Sequence, residues 1–425
     1  MDYKGEFIMR TSRQFDYYKR FVGEEMISRI YRMADELAGL HVLHLNTTYE
    51  GGGVAEILKV LIPLLEELGI RHTWKVVPLD EASNHFTDRI VDLLQGGGTD
   101  ELPVKDQHLL LENLGRVPEL ARPSPADIYF VHDFQLVPLA KLYPWMQPAI
   151  WFCHVDTANP GPHAEAYIRR FLDAYELYGF NSQASVFKGL PPDLTQVVTL
   201  GIDPFRVKNR FLTPAKGMEA FARCGIDPAR PLISQISRFG HWKNPWQVID
   251  VYRLVKQEIP AVQVALIGAM EAADDVSARE VLANIQEYAA GDPDIHLLSD
   301  PHLITHKEVN AFQRYSSVIL QRSTREGFGF TVTEALWKSQ PVIGTSATGM
   351  RIQLIDGYNG YIVDETEACA EYTLKLLQDR ALWRRLGQHA HEHVRKNFLF
   401  PSMVMGYLEA LCRVSNRVRV AASAD

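Results

Sequence analysis

Cysteine is scarce in this sequence and never occurs as a C-x-x-C pair. The four cysteines lie far apart in the chain, at Cys153, Cys224, Cys369 and Cys412. This spacing argues against a disulfide framework and against a zinc site made of thiolates. We therefore expect buried free thiols in a protein of the reducing cytoplasm.

Long hydrophobic runs are also missing. No stretch of about 18 apolar residues, the length that indicates a transmembrane helix, occurs in the sequence. The first residues, M-D-Y-K-G-E-F, do not form the apolar core of a secretion signal. These features predict a soluble cytoplasmic protein that does not contact a membrane.

The sequence also has no excess of positive charge. The 425 residues include 44 Lys and Arg against 52 Asp and Glu, a formal net charge of −8. Such a chain would repel a nucleic acid, so we expect no nucleic-acid partner. Any ligand that carries phosphate must instead be held by a few placed basic side chains.

The order of apolar segments predicts an α/β fold. Short β-branched segments alternate with amphipathic helical segments, a pattern typical of parallel sheets. The length suggests about two or three domains of ~150 residues each. Two such alternations occur, and the irregular, polar stretch 201–214 between them is interpreted as a linker. In parallel sheets, ligands bind beyond the carboxyl ends of the strands.

Polar residues follow two predicted strands of the first half. The strand at 127–131 is followed by His132-Asp133, and the strand at 149–153 by His154-Val155-Asp156. These side chains are predicted to lie at the ligand-binding edge, although capping or turn roles remain an equal alternative. Their residue types also suit zinc or iron, but the two pairs have no fixed spacing that would support a metal site, and we predict none.

A glycine run follows the first predicted strand. Gly51, Gly52 and Gly53 separate the strand at 40–45 from an amphipathic helix at 54–68. The run is neither G-x-G-x-x-G nor a P-loop, so it is a weak indication on its own. Glycines here would let the backbone approach a ligand closely, because no Cβ intervenes.

The strongest functional indication is the stretch Arg325–Trp337, which reads R-E-G-F-G-F-T-V-T-E-A-L-W. It follows an apolar, β-branched segment, so Gly327 and Gly329 are predicted to lie at a strand-to-helix turn. Amides at such a helix start lack helical partners and attract phosphate. Glu326 and Glu334 flank the turn and could bind the two ends of one ligand. Because glycines at such turns are common in α/β proteins, the stretch gains weight only from matching parts elsewhere.

A basic loop supplies one matching part. Arg238 and Lys243 follow the predicted strand at 232–236, at the same sheet edge as Glu326. Arginine can fork two hydrogen bonds onto phosphate oxygens, and lysine adds a point charge. With a helix terminus, two cations suffice to bind a diphosphate and to stabilise it as a leaving group without a metal. A solvated surface pair is the alternative interpretation.

Taken together, the motifs resemble the retaining GT-B glycosyltransferases of family 4, whose second domain carries such cations followed by an E-x(7)-E pair. Closer similarity, over nearly the whole chain, is to the trehalose glycosyltransferring synthases. The similar segments are Gly51–Leu58, His132-Asp133, Cys153–Asp156, Ser237–Lys243, Val309–Arg314 and Arg325–Gly329. A departure lies at Thr348-Gly349-Met350-Arg351, where a Gly-Gly pair is more usual.

The resemblance implies a GT-B fold with two Rossmann-like domains, 1–210 and 215–399, and a deep cleft between them. A final helix at about 400–418 is expected to return to the first domain. The implied catalytic residues are Arg238, Lys243 and Glu326. The implied donor-binding residues are Gly52, Gly53, His154, Gly327, Phe328, Gly329 and Glu334, with Glu334 on the ribose, and the acceptor-binding residues are Asp133 and Asp156.

The reaction that the resemblance implies joins a nucleotide-activated glucose to free glucose with retention, without a metal and without a cofactor. No clear nucleophile accompanies the carboxylates, so we favour front-face displacement, in which the leaving diphosphate helps to deprotonate the incoming hydroxyl. Three alternatives stay open: a trehalose phosphorylase that uses free phosphate, a family-4 transferase with another acceptor, and a non-catalytic nucleotide-sugar sensor. The expected partners are small molecules, and a homodimer is left open.

Overall fold

A computed structural model describes residues 14–50, 53–268 and 276–424. The chain divides into two compact units. The first comprises Met1–Thr199 together with Pro401–Asp425, and the second comprises Leu200–Phe400. No helix among the described residues combines the length and the apolar character needed to cross a membrane.

The first unit is built on a parallel six-stranded sheet with the strand order β2-β1-β3-β4-β5-β6. The strands are β1 His41–Asn46, β2 Arg71–Val76, β3 Ile128–His132, β4 Ala149–Cys153, β5 Leu177–Phe180 and β6 Thr195–Val197. The helices are α1 Lys19–Val22, α2 Glu24–Glu36, α3 Gly53–Glu67, α4 Glu81–Leu94, α5 Val104–Gly115, α6 Leu139–Leu142 and α7 Pro162–Arg169. Every residue of β3 and β4 is buried, as expected for central strands covered on both faces.

The second unit repeats this plan with the strand order β12-β11-β10-β7-β8-β9. Its strands are β7 Leu232–Ile236, β8 Gln263–Ile267, β9 Ile295–Leu298, β10 Val318–Gln321, β11 Val342–Gly344 and β12 Gly360–Ile362. Its helices are α8 Pro214–Arg223, α9 Pro245–Glu258, α10 Val276–Ala289, α11 His306–Tyr315, α12 Phe330–Trp337, α13 Thr348–Gln353, α14 Thr366–Gln378 and α15 Arg380–Asn397. Because β7 and β10 are neighbours, the loops that follow them begin side by side.

The last helix, α16 Phe400–Ala424, packs on the sheet of the first unit. The ring of Tyr407 stacks on Phe152 with 5.4 Å between centroids, and the Arg413 guanidinium donates a 2.7 Å hydrogen bond to the carbonyl of Thr195. Gly406 allows the close approach, since a Cβ at this position would lie 2.8 Å from a methyl group of Val198.

The stretch 201–214 is not a linker but a packed part of the second unit. Ile202 pairs with Leu399, and the Asn209 side chain is buried and donates a 2.9 Å hydrogen bond to the carbonyl of Asp203. Asn310 of α11 donates to two carbonyls of the same stretch at 2.8 Å. The buried Asn209 and Asn310 therefore satisfy backbone groups of this stretch inside the unit.

Candidate active site

The loop after β7 carries Lys243 at the end of a short 3-10 turn, His241–Lys243. Asn244 then adopts a left-handed conformation, with φ 46° and ψ 55°, and Pro245 starts α9. Two hydrogen bonds fix this loop: Gln235 Nε2 donates to the Lys243 carbonyl at 2.9 Å, and the Thr324 amide donates to the Trp242 carbonyl at 2.8 Å. The loops after β7 and β10 are thus joined directly.

Lys243 and Glu326 meet at this junction. The lysine Nζ forms an ion pair with Glu326 Oε2, and both side chains are mostly buried, at 23% and 15% exposure. The structure therefore brings together two of the three residues for which sequence predicts a catalytic role. Lys243 is oriented by a carboxylate that can also accept hydrogen bonds from a ligand.

Arg238, the third predicted catalytic residue, follows the buried strand β7 by two positions and has an exposed side chain. It makes no hydrogen bond or ion pair with the residues that the structure describes. A further cation, Arg325, was not predicted: its guanidinium carbon lies 3.6 Å from the ring centroid of Trp242. The sequence placed Trp242 beside the basic loop, but no motif indicated that Arg325, from the loop after β10, would contact its ring.

The turn before α12 is shaped by two glycines. Gly329 precedes the helix in a left-handed conformation, with φ 84° and ψ 68°, which glycine adopts without strain. Gly349 of α13 donates a 2.7 Å hydrogen bond from its amide to the Glu326 carbonyl, and a Cβ on it would lie 2.6 Å from the Phe328 carbonyl oxygen. Gly349, which falls where the sequence departs from the family pattern, therefore supports the turn.

Phe328 is buried, and its ring contacts Phe330 and Phe398 at centroid distances of 5.2 and 5.9 Å. Its side chain is therefore part of the core, and only its backbone could contact a ligand. Gly327, by contrast, is partly exposed.

Glu334 lies on α12 with only 2% of its side chain exposed. Lys208 Nζ pairs with its Oε1 at 2.7 Å, and Gln313 Nε2 donates to its Oε2 at 3.0 Å. Burial by itself would raise the pKa of Glu334, but the charges of Lys208 and Lys338 hold that pKa below its usual value. The carboxylate is therefore ionised and already partnered.

Lys338, which directly follows α12, completes this buried network. Its Nζ donates to Gln313 Oε1 at 2.8 Å and to Asn209 Oδ1 at 3.2 Å. Burial lowers the pKa of Lys338 to about 7, against the opposing effect of Glu334. Sequence analysis did not identify Lys208, because it falls in the stretch interpreted as a linker, and no motif indicated Lys338.

Asp133 terminates β3 in the first unit with φ 68° and ψ 171°, a backbone conformation that costs a non-glycine residue of order 1–3 kcal/mol. Its carboxylate accepts hydrogen bonds from the amides of Phe134 at 3.2 Å and His154 at 3.3 Å. Burial raises the pKa of Asp133 to about 6, although these amides act in the opposite direction. Such strain at the carboxyl end of a strand is typical of functional sites.

His154 and Asp156 follow β4 at the same sheet edge. His154 Nε2 hydrogen-bonds with His132 Nδ1 at 3.0 Å, and its other ring nitrogen is buried without a partner among the described residues. Asp156 accepts a 3.0 Å hydrogen bond from the Ala158 amide, which is the turn role considered as its alternative. Gly53 is the exposed first residue of α3, and Gly52 lies outside the described residues.

Two families match successive parts of the chain. Residues 44–186 match the family described as trehalose synthase, N-terminal domain, and residues 219–393 match the glycosyl transferases of group 1. The chain is also 36% identical to the trehalose synthase of Thermococcus litoralis over 402 residues, which cover 94% of this chain and 97% of that protein. The chain belongs to the trehalose synthase family. As a member of this family, it is a glycosyltransferase.

A trehalose phosphorylase and a solved structure show more distant similarity to the chain. A trehalose phosphorylase of Pleurotus pulmonarius is 26% identical, covering 89% of this chain and 58% of that protein. The solved structure of the trehalose 6-phosphate synthase of Burkholderia multivorans superposes with a TM-score of 0.70 at 15% identity, covering 92% of this chain and 99% of that chain. This likeness, with the two six-stranded parallel sheets, confirms the predicted GT-B fold.

No group of three or more His, Cys, Asp or Glu side chains within the described ranges is arranged to hold a metal ion. Both ring nitrogens of His132, for example, hydrogen-bond to neighbouring histidines, His44 at 2.9 Å and His154 at 3.0 Å, and are therefore not available as metal ligands.

Proposed function

We propose that this protein forms trehalose in the cytoplasm by transferring glucose from a nucleoside-diphosphate glucose to the anomeric hydroxyl of free glucose. The transfer retains the configuration of the donor carbon and needs no metal ion. Near-full-length identity of 36% to a trehalose synthase supports the product. The observation that carries the chemistry is the meeting of Lys243 and Glu326 beside the start of α12.

The second unit binds the nucleotide in this proposal. Arg238 and Lys243 hold the diphosphate, and the free amides of the turn at 327–329 add hydrogen-bond donors. Glu326 accepts hydrogen bonds from hydroxyls of the transferred glucose. Binding of the ribose at Glu334 requires that Lys208 leave Oε1, since little of that carboxylate is otherwise accessible.

The first unit supplies further contacts to the sugars in this proposal. His154 contacts the donor glucose, and its unpartnered buried nitrogen supports this role. Asp133 and Asp156 bind hydroxyls of the acceptor, while Gly52 and Gly53 approach the donor through their backbone. The strained backbone of Asp133 supports a binding role more strongly than the ordinary turn at Asp156 does.

The proposed step is a front-face displacement. The bond between the anomeric carbon and the diphosphate oxygen breaks as the bond to the acceptor oxygen forms on the same face, and the acceptor proton passes to the departing phosphate. Lys243 and Arg238 neutralise the charge that develops on that phosphate. The protein supplies position and charge rather than a nucleophile, because the best-placed carboxylate, Glu326, is paired with Lys243.

The decisive experiment incubates the protein with each of several nucleoside-diphosphate glucoses plus free glucose and identifies the disaccharide by NMR. We expect trehalose and one equivalent of nucleoside diphosphate. Parallel incubations with trehalose and inorganic phosphate test the phosphorylase alternative, which the Pleurotus relative favours. Glucose 1-phosphate formed without nucleotide would replace our proposal by that alternative, and donor binding without turnover on any acceptor would indicate a sensor.

A further inference from the structure

Four histidines form a continuous hydrogen-bonded row across the sheet of the first unit. His72 Nδ1 meets His44 Nε2 at 2.9 Å, His44 Nδ1 meets His132 Nε2 at 2.9 Å, and His132 Nδ1 meets His154 Nε2 at 3.0 Å. The four residues come from the adjacent strands β2, β1 and β3 and from the position just after β4. The row therefore runs diagonally, from near the amino end of β2 to the ligand edge of β4.

Every link of this histidine row has the same polarity, since an Nδ1 always faces an Nε2. A neutral imidazole has one N–H donor and one acceptor nitrogen. If one ring carries its hydrogen on Nδ1, the next ring must accept on Nε2 and so carry its own hydrogen on Nδ1. Only two arrangements satisfy all three links: every hydrogen on Nδ1, or every hydrogen on Nε2.

The surroundings of the histidine row keep its rings neutral. Burial lowers the pKa of His44 and His132 well below the ordinary value, that of His72 to about 4 and that of His154 to about 3. The rings also stack on one another and on aromatic side chains, including Phe130 at 5.3 Å from His44. At neutral pH the row is therefore uncharged.

The two ends of the histidine row face different places. His72 lines a surface cavity of about 490 Å³ together with Glu66 and Arg71, at the amino ends of β1 and β2. His154 lies at the ligand edge, where its amide donates to Asp133. The outer nitrogens, His72 Nε2 and His154 Nδ1, are buried and have no partner among the described residues. Each end can therefore donate or accept a hydrogen bond, depending on the state of the row.

We propose that the four histidines act as one tautomeric unit, in which a sugar hydroxyl bound at His154 Nδ1 selects the hydrogen position on every ring as far as His72. The change of state is balanced. Water that enters with the sugar supplies a proton to His154 Nδ1, each Nε2 hydrogen moves to the Nδ1 of the next ring, and the His72 Nε2 hydrogen passes to water in the cavity that His72 lines. His72, His44 and His132 are then positioning residues that fix whether His154 donates to or accepts from the sugar. The inference rests on the proposed function only for the identity of the ligand.

The first test is nitrogen NMR of the free protein at pH 7 with ring-labelled histidine, assigned by single His→Asn variants. We expect four neutral rings that all carry their hydrogen on the same ring nitrogen. A protonated ring, or one ring in the other tautomer, would overturn the proposal. This measurement does not depend on the reaction, so its outcome is separate from that of the trehalose assay.

The second test adds a nucleoside-diphosphate glucose, and separately trehalose, to the labelled protein. We expect the signals of His72 to change at the same sugar concentration as those of His154. In His44→Phe the His154 signals should still respond while those of His72 stay fixed, and the control His296→Gln, a histidine of the second unit, should respond like the original protein. A silent His72 in the unsubstituted protein would refute the coupling, even if His44→Phe failed to fold.

A kinetic readout accompanies the spectra. His72→Phe should raise the KM for the nucleoside-diphosphate glucose roughly 2- to 30-fold, the range of coupling between connected residues, with a smaller effect on kcat. Unchanged kinetics in this variant would contradict a positioning role for His72.

Discussion

The Lys243–Glu326 ion pair joins side chains 83 residues apart in the sequence, each held by a loop at the end of a buried strand. Pairing before a ligand arrives holds the lysine ammonium group in place and limits the entropy lost on binding. A diphosphate would compete with Glu326 for the ammonium group and leave the carboxylate to accept sugar hydroxyls. One pair could thus serve both parts of the donor.

Removal of the Lys243 ammonium group should therefore impair catalysis more than folding. We expect Lys243→Ala to lower the transfer rate by roughly two to four orders of magnitude, the scale of losing one charge-stabilising group. Steady-state release of nucleoside diphosphate measures the change, with Lys59→Ala, an exposed lysine paired with Glu56, as the control. A near-normal rate would remove Lys243 from the mechanism.

Asp133 gives a pH-dependent prediction. Its pKa is about 6 in the folded protein against 3.8 ordinarily, so the folded state favours the protonated carboxyl. The protonated carboxyl therefore contributes to the free energy of unfolding at acid pH, and this contribution is lost as pH rises through about 6. Asp133→Asn, which mimics the protonated form and keeps an acceptor oxygen, should stabilise the protein at pH 8 by about 2–3 kcal/mol.

Thermal unfolding at pH 4 and pH 8 measures this effect for Asp133→Asn. The gain in Tm should be present at pH 8 and nearly absent at pH 4, whereas the exposed control Asp100→Asn should show no such difference. Equal gains at both pH values would contradict the inferred protonation of Asp133.

At the scale of elements, the turn that starts α12 depends on a backbone conformation that only glycine adopts easily. A Cβ at Gly329 would lie 3.1 Å from both Glu326 Cγ and Met350 Cε, so it would push against the carboxylate of the ion pair. We expect Gly329→Ala to destabilise the protein by about 1–2 kcal/mol, the cost of a left-handed conformation for a residue with a Cβ, and to reduce transfer.

Gly240→Ala is the matched control for Gly329→Ala. Gly240 lies in the loop after β7 and has an extended backbone with φ −156°, and a Cβ added to it would meet no other atom within 4 Å. The two variants should differ clearly in thermal unfolding and in transfer rate, because only Gly329→Ala is expected to lose stability and activity. If the two variants behaved alike, the conformation of Gly329 would not be what shapes the turn.

The central strands could be predicted from sequence because they are buried on both faces and read as continuous apolar runs. The predictions at 149–153 and 232–236 coincide with β4 and β7. The edge strand β2 Arg71–Val76 gives no such signal at its start, because it begins with polar residues. The pattern of apolar residues along a sequence reflects burial. An edge strand is only partly buried, so this pattern marks its ends poorly.

The polar networks could not be predicted in the same way. Glu334 was identified from its spacing to Glu326, but its partners Lys208 and Gln313 come from distant segments that carry no shared motif. The same holds for the histidine row, of which only His132 and His154 were singled out. Hydrogen bonds between strands depend on register, which a single sequence does not specify.

For the whole molecule, the proposal predicts that transfer does not depend on a divalent metal. Side-chain cations and a helix start supply the charge that a metal would otherwise provide to a departing diphosphate. Activity should persist after dialysis against a chelator, and adding magnesium back should change the rate little. Complete loss with chelator, restored by a metal, would contradict the proposed mechanism.

The chain order of the two units has a practical consequence. The second unit begins and ends at neighbouring positions, since the Ile202 amide donates to the Phe398 carbonyl at 2.8 Å and the Phe400 amide donates to the Ile202 carbonyl at 3.1 Å. Residues 200–400 are therefore an insertion with adjoining termini, an arrangement that favours excision and separate expression of a domain. A short peptide joining Thr199 to Pro401 would then leave the remaining half with its own closing helix.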